Sequence, residues 1–194
     1  PDVREILEEK VKEIGMWMFD VPEEFGGLGM NLLARCVVWE EMGRTIAIPT
    51  RGGHIFGPPV SPILYFLNDD QKEKYLWPVL RGEKNCAFAQ TEPDAGGDPG
   101  SMRTTAVLDG NHYVINGYKR YITAANKADF FQLQAVTDRE KGSRGGISTF
   151  LVNAETPGIK LVRYQQMMMD DRPWEISFED VRVPATNLVG KEGE

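Results

Sequence analysis

The chain has 194 residues, a formal net charge of −7 and a pI near 5.0, with 41% hydrophobic and 26% charged residues. This composition excludes collagen-like and low-complexity sequences, and the acidic balance argues against a nucleic-acid-binding surface. The sequence contains no apolar run of about 18 residues that could form a membrane-spanning helix. The charged segment 1–10 lacks the apolar core of a signal peptide. Cys36 and Cys86 lie far apart in apolar contexts, which is typical of reduced core thiols in an intracellular protein.

The first part of the chain has the periodicity of helices. Apolar residues recur at helical spacing from Leu7 to Ile14. A glycine-rich turn over residues 22–29 precedes a helix that Asn31 is expected to cap. Two further helical segments are predicted, a short one over residues 63–67 and one that begins near residue 69 and ends near residue 82.

After residue 84 the pattern changes to short strands separated by turns. Asp109-Gly110 is a strong hairpin signal, and Asn116-Gly117 predicts a second tight turn. The predicted strands cover residues 86–90, 103–108, 112–116, 118–123, 130–136, 147–152, 159–164 and 175–183. Six or more strands without a long helix between them predict an antiparallel barrel or sandwich. The sequence therefore predicts an α+β chain, helical first and β afterwards.

The familiar catalytic and metal-binding patterns are weak in this sequence. Neither His54 nor His112 has a partner at metal-ligand spacing, and the sequence contains no HExxH, CxxC or GxSxG motif. It also contains no GxGxxG after a predicted strand, which argues against a Rossmann dinucleotide site. We therefore predict no metal site.

Two stretches could bind a ligand. Residues 89–101, AQTEPDAGGDPGS, leave a strand for a loop whose glycines could let peptide N–H groups form an anion-binding nest. Residues 116–126 place an aromatic, an aliphatic and a hydroxyl side chain close together, which could cover a flat heterocycle. Taken singly, each stretch is explained at least as well by a surface loop and an ordinary strand.

Together with further motifs, these stretches resemble the acyl-CoA dehydrogenases, the flavoenzymes that desaturate acyl-CoA thioesters. The motifs are PEEFGGLG at 22–29, EEMG at 40–43, DDQKEKYLWPVLRGEK at 69–84, AQTEPDAGGD at 89–98, DGNHYVINGYKRYIT at 109–123 and FEDVRVPATNLVG at 178–190. That family has an N-terminal helical domain, a middle β-barrel and a C-terminal four-helix domain. The resemblance implies a partial helical domain over residues 1–84, a β-barrel domain over 85–190 and, at 191–194, the start of a C-terminal domain that we expect to be absent.

The resemblance implies FAD-dependent α,β-dehydrogenation of an acyl-CoA thioester. A carboxylate takes the α-proton, the β-hydrogen leaves as hydride, and hydrogen bonds polarise the thioester carbonyl. In most relatives that carboxylate belongs to the C-terminal helices, so we expect the base beyond Glu194 and no catalytic residue within this chain. Glu92 is interpreted as structural, because we expect it to set its loop through backbone or cationic partners. We expect the chain alone to be inactive.

The resemblance also implies binding residues. The positions expected to contact FAD are Gln90, Thr91, Gly96, Gly97, Tyr121, Ile122 and Thr123, and those expected near the substrate are Gly97, Ser101 and Arg144. Arg144 belongs to the polar loop 139–146, which corresponds to a loop near the nucleotide end of CoA but is equally explained as a solvated hairpin loop.

Two positions and one segment depart from the family pattern. Tyr121 replaces the more usual Trp and keeps a flat aromatic with a polar tip. Gly97 replaces the usual Ser and so removes a hydroxyl. Residues 167–174, which begin with three methionines, replace a pattern of Gly, Arg, Ser and Thr. We interpret the methionines as filling gaps in the core, and the alternative is a pliable wall for an unusual acyl group.

Two alternative functions remain open at this point. One is an acyl-CoA oxidase or flavin monooxygenase of the same fold, which passes electrons to O₂. The other is a non-catalytic binding module without flavin, which Gly97 favours. The expected partners are an acyl-CoA and an electron-transfer flavoprotein, and the intact protein is expected to be a homodimer or homotetramer. The resemblance implies a cytoplasmic location, or the mitochondrial matrix in a eukaryote.

Overall fold

A computed structural model describes residues 3–44, 55–167 and 172–194. The chain forms two compact units, one made of Pro1–Phe66 and Lys72–Glu83 and the other of Leu67–Gln71 and Lys84–Glu194. His54 and two methionines of the methionine run, Met168 and Met169, lie outside the described residues. Cys36 and Met167 are exposed, so the prediction that they lie in the core is wrong.

The predicted helices are confirmed, with changes at their ends. Helix α1 covers Val3–Glu13 and helix α2 covers Leu32–Met42. The Asn31 side chain accepts a hydrogen bond from the N–H of Ala34 (3.0 Å), as expected of an N-cap. The later helical segments are a 3₁₀ helix at Pro62–Phe66, helix α3 at Asp69–Gln71, a π turn at Lys72–Leu76 and helix α4 at Trp77–Leu80.

The β unit is a curled, seven-stranded half-barrel. Its strands are β1 (Cys86–Ala89), β2 (Thr105–Asp109), β3 (His112–Ile122), β4 (Phe130–Val136), β5 (Ile147–Asn153), β6 (Ile159–Tyr164) and β7 (Trp174–Pro184). The strand order in the sheet is β1-β4-β2-β3-β7-β6, and β5 also pairs with β4. The core includes buried aromatic and aliphatic residues of β3, β4, β5 and β7. The predicted order of helices and then strands is confirmed.

The sheet is mixed, whereas the sequence predicts only antiparallel pairing. Strand β1 is parallel to β4, with Cys86 opposite Phe130, and β2 is parallel to β4 at one pair of residues. The four other strand pairs are antiparallel. A long segment separates β1 from β4, so no hairpin imposes an antiparallel direction on them.

Asn116-Gly117 is not a turn, and the prediction of a tight turn there is wrong. Strand β3 runs through both residues, with a register shift against β7 between Ile115 and Gly117. The Asn116 side chain exchanges hydrogen bonds with Asp180 of β7, one to its carboxylate and one from its N–H. Glycine is needed at position 117 because a Cβ there would lie 2.6 Å from the Cα of Thr104.

We expect Gly117→Ala to destabilise the protein by about 1–3 kcal/mol, because the added methyl group would force the backbone near Thr104 to move. Thermal unfolding measures the loss. Gly96→Ala is the matched control, since a Cβ at Gly96 meets no atom within 4 Å. Equal stability of the two variants would contradict the close approach.

Candidate functional site

The two stretches with ligand-binding potential lie side by side. Gln90 and Thr91 directly follow β1, and Arg120 and Tyr121 lie near the end of β3. The N–H of Arg120 donates to the carbonyl of Thr91 (2.8 Å), and the Lys119 Nζ donates to the carbonyl of Gln90 (3.0 Å). These contacts form one continuous edge, which we call the β1/β3 edge (residues 90–91 and 120–123).

A buried ion pair lies behind this edge. The Lys119 Nζ is 2.8 Å from a carboxylate oxygen of Glu92, and the two side chains are 0% and 3% exposed. The same carboxylate accepts hydrogen bonds from the N–H groups of Arg103 (2.6 Å) and Thr104 (3.0 Å). Glu92 therefore joins β3 to the segment that leads into β2, which agrees with its interpretation as a structural residue.

The surroundings keep both members of this pair charged at neutral pH. Burial lowers the pKa of Lys119 to about 8, against the opposing effect of its hydrogen bond to Glu92. Burial alone would raise the pKa of Glu92, but hydrogen bonds from Lys119, Thr104 and Arg103 outweigh it and lower that pKa. A carboxylate held in this way is not available as a general base.

Tyr121 is exposed through an irregularity in β3. The register against β7 shifts between Lys119 and Ile122, and Tyr121 has φ 59°, a value that residues other than glycine seldom adopt. The Tyr121 side chain is 46% exposed, whereas Ile122 is 2% exposed and belongs to the core. Of the predicted residues here, Tyr121 and the exposed Thr123 have accessible side chains, and the side chain of Ile122 packs inside the domain.

Gly96 and Gly97 lie at the surface, in the loop after β1. The loop is shaped by the Asp98 carboxylate, which accepts a hydrogen bond from the N–H of Gly100 and so caps the 3₁₀ helix Pro99–Ser101. A Cβ at Gly96 or at Gly97 would meet no atom within 4 Å. The packing of this chain therefore does not require glycine at either position, and their main chain is accessible.

The predicted substrate residues Ser101 and Arg144 are both exposed. Next to Ser101, a cavity of about 20 Å³ is lined by Pro99, Gly100, Met102, Val136, Arg139, Gly142 and Ile147. The arginine that lines this cavity together with Gly100 and Met102 is Arg139, and the predicted substrate residue Arg144 is not among the lining residues. The cavity has the size of a single water molecule and is too small for a substrate.

A second buried carboxylate, that of Glu175 on β7, is not predicted by the sequence analysis. It accepts hydrogen bonds from Tyr118 Oη (2.6 Å), Arg163 Nε (2.8 Å) and Gln165 Nε2 (2.7 Å). The hydrogen bond from Arg163 contributes most to lowering the pKa of Glu175. The one sequence signal for a buried carboxylate is that Glu175 lies between two apolar residues of a predicted strand. Its partner Arg163 can be identified only from the β6–β7 register.

The described residues hold no group of three or more His, Cys, Asp or Glu placed to bind a metal ion. Over the same residues, every helix is too short or too polar to cross a membrane.

We expect Lys119→Met to destabilise the protein by about 3–5 kcal/mol, because it leaves the Glu92 carboxylate buried without its cation. The double variant Lys119→Met/Glu92→Leu should lose less than the sum of the single variants, measured by denaturant unfolding. Lys160→Met is the control, since its partner Glu179 is exposed and such pairs contribute at most about 1 kcal/mol. Additive single-variant losses would contradict a coupled pair.

We expect stability to fall when the pH drops below the ordinary carboxyl range. Glu92 and Glu175 have lowered pKa values in the folded protein, so the unfolded chain binds more protons as the pH falls. Their contribution is complete above the ordinary pKa of 4.5 and is lost as the pH falls through their folded values. Thermal midpoints from about pH 7 to about pH 3 test this. Glu175→Gln should show a shallower acid dependence than the wild type, and an unchanged slope would contradict the expectation.

Comparison with known families identifies both parts of the chain. The profile of the acyl-CoA dehydrogenase N-terminal domain matches residues 2–83, and that of the acyl-CoA dehydrogenase middle domain matches residues 87–181.

Curated relatives match almost the whole chain. A short-chain-specific acyl-CoA dehydrogenase of Clostridium acetobutylicum is 38% identical over 96% of this chain and 50% of the relative. A subunit of a caffeyl-CoA reductase–Etf complex from Acetobacterium woodii is 35% identical over 97% of this chain and 50% of the relative. The chain spans about half the length of the curated relatives it matches.

Solved structures agree with these matches. An acyl-CoA dehydrogenase from Geobacillus kaustophilus superposes with a TM-score of 0.78 at 34% identity, covering 98% of this chain and 50% of that one. A prolyl acyl carrier protein oxidase superposes with a TM-score of 0.81 at 33% identity, covering 98% and 51%. The chain belongs to the acyl-CoA dehydrogenase family and contains sequence of its N-terminal and middle domains.

Proposed function

We propose that the protein containing this chain is an FAD-dependent acyl-CoA dehydrogenase, which forms a double bond between the α and β carbons of an acyl-CoA thioester. The observation that carries this proposal is the β1/β3 edge, where hydrogen bonds of 2.8 and 3.0 Å join the two motifs that resemble the flavin-binding motifs of the family. The family membership and the coenzyme A thioester chemistry in the names of many relatives support it.

The residues present fit a flat heterocycle that carries a diphosphate. An exposed aromatic ring at Tyr121, polar residues at the end of β1 and two glycines with an accessible main chain are the groups that such a ligand needs. When bound, FAD supplies a two-electron acceptor for the hydride that leaves the β-carbon.

We assign roles to the individual residues under this proposal. Gln90 and Thr91 bind the pyrimidine edge of the flavin, Tyr121 packs against the ring, and Thr123 approaches it from the end of β3. Ile122 holds this edge in the core, since its side chain is buried. Gly96 and Gly97 bind the diphosphate through peptide N–H groups. Ser101 and Arg144 are the candidate contacts for the substrate.

Under this proposal residues 1–194 bind and orient the flavin and the substrate, and another part of the protein abstracts the proton. Glu92 and Glu175, the buried glutamates among the described residues, are both paired with cations. We therefore propose that the base is a carboxylate outside residues 1–194. The relative from the caffeyl-CoA reductase–Etf complex supports an electron-transfer flavoprotein as the redox partner.

A second candidate, an oxidase of the same fold, is favoured by the similarity to the prolyl acyl carrier protein oxidase. The two candidates differ in the acceptor of the electrons. Anaerobic reduction of the protein by an acyl-CoA, followed by admission of air, separates them. Slow reoxidation supports a dehydrogenase, and rapid reoxidation with release of hydrogen peroxide supports the oxidase.

We expect the full-length protein to bind FAD, and we expect Thr91→Val to weaken FAD binding by about tenfold, the equivalent of one lost hydrogen bond. Titration of the apoprotein with FAD measures the affinity. Thr186→Val replaces an exposed threonine outside the site and should bind FAD like the wild type. A colourless protein that cannot be reconstituted with FAD would refute the proposed function.

A further inference from the structure

A cluster of polar side chains around the buried Glu175 carboxylate links three strands beside the candidate site. Arg163 of β6 lies opposite Glu175 of β7 and donates two hydrogen bonds to it, of 2.8 and 3.1 Å. Tyr118 of β3 and Gln165 complete the hydrogen bonds to the carboxylate. With four donated hydrogen bonds, Glu175 is fixed in position and cannot move without breaking the cluster.

Arg120 connects this cluster to the exposed ring of Tyr121. Its Nε lies 3.2 Å from Glu175 Oε1, an ionic contact rather than an aligned hydrogen bond. Its guanidinium carbon lies 4.7 Å from the centroid of the Tyr121 ring, within the range of a cation–π interaction. Its N–H is bonded to the carbonyl of Thr91, so the backbone and the side chain of Arg120 are both held.

The Tyr121 ring needs such a restraint. Its backbone has a positive φ of 59°, and the ring is 46% exposed, so packing alone holds the ring weakly. The cluster contains two guanidinium groups, those of Arg120 and Arg163, and the Glu175 carboxylate lies within 3.2 Å of both. Without that carboxylate the two cations would repel each other, and the more exposed Arg163 would no longer be paired.

We propose that Glu175 is a positioning residue that holds the Arg120 guanidinium on the Tyr121 ring and thereby fixes this ring against the flavin. The inference rests on the proposed function, because the flavin is the ligand against which the ring is held. Glu175 itself contacts neither cofactor nor substrate and acts through Arg120. The aromatic residue of the β1/β3 edge thus depends on a charge from the neighbouring strand β7.

The test uses flavin fluorescence in the full-length protein loaded with FAD, because an aromatic ring packed on a flavin quenches its emission. In the Glu175→Gln variant we expect flavin emission to rise by up to about fivefold. Loss of a partly exposed cation–π contact changes a conformational equilibrium by about this factor. Glu179→Gln is the matched control. It removes another glutamate of β7 that is paired with a cation of β6, Lys160, at 3.0 Å, and it should leave emission unchanged.

Measurements in the Tyr121→Ala variant distinguish a positioning role of Glu175 from a merely structural one. Tyr121→Ala should raise emission by itself, and adding Glu175→Gln should then raise it no further, because the effect passes through the ring. Arg120→Met tests the same link while Glu175 keeps its bonds to Tyr118, Arg163 and Gln165, so it serves if Glu175→Gln does not fold. It should show the same rise.

Two results would overturn the positioning role while leaving the proposed function intact. In the first, a folded, FAD-loaded Arg120→Met or Glu175→Gln variant has the same flavin emission as the wild type. In the second, Glu175→Gln raises flavin emission equally whether residue 121 is Tyr or Ala. A wild-type protein that binds no FAD would overturn both inferences, and the first titration, before any variant is made, would reveal it.

Discussion

The buried ion pair between Lys119 and Glu92 is the constraint on which the candidate site depends. Two charges without access to water are stable only as a pair with further hydrogen bonds, and Glu92 obtains these from the N–H groups of Arg103 and Thr104. Lys119 in turn holds the carbonyl of Gln90. This ion pair and its hydrogen bonds therefore join the end of β1, the approach to β2 and the end of β3.

Two consecutive residues of β3 form ion pairs with two different carboxylates. Lys119 binds Glu92, and Arg120 binds Glu175, which belongs to another strand. The irregularity that follows them turns Tyr121 outward and returns Ile122 to the core. Under the proposed function, the β unit uses its buried charges to shape a binding edge. Both carboxylates are paired with cations in this arrangement, which agrees with a proton acceptor supplied by another part of the protein.

Local chemistry in the sequence predicted local structure well. The cap at Asn31 and the hairpin at Asp109-Gly110 are confirmed, because each depends on a few adjacent residues. Gly117 was misinterpreted, since a glycine that opens a tight turn and a glycine that admits a neighbouring strand are identical in sequence. The Glu175 cluster was missed because its members meet only through the register of three strands, which periodicity does not determine.

The parallel pairing of β1 with β4 has a consequence for the order in which the chain folds. A hydrogen bond from Asn85 to Asp129, 44 residues away, marks the start of that pairing. Contacts so distant in sequence carry a loop-closure cost and form slowly. During synthesis β1 emerges before β4, so we expect Gln90 and Thr91 to reach their final places late, after the β2–β3 hairpin is complete. We therefore expect the β1/β3 edge to be completed late in folding, although β1 is synthesised early.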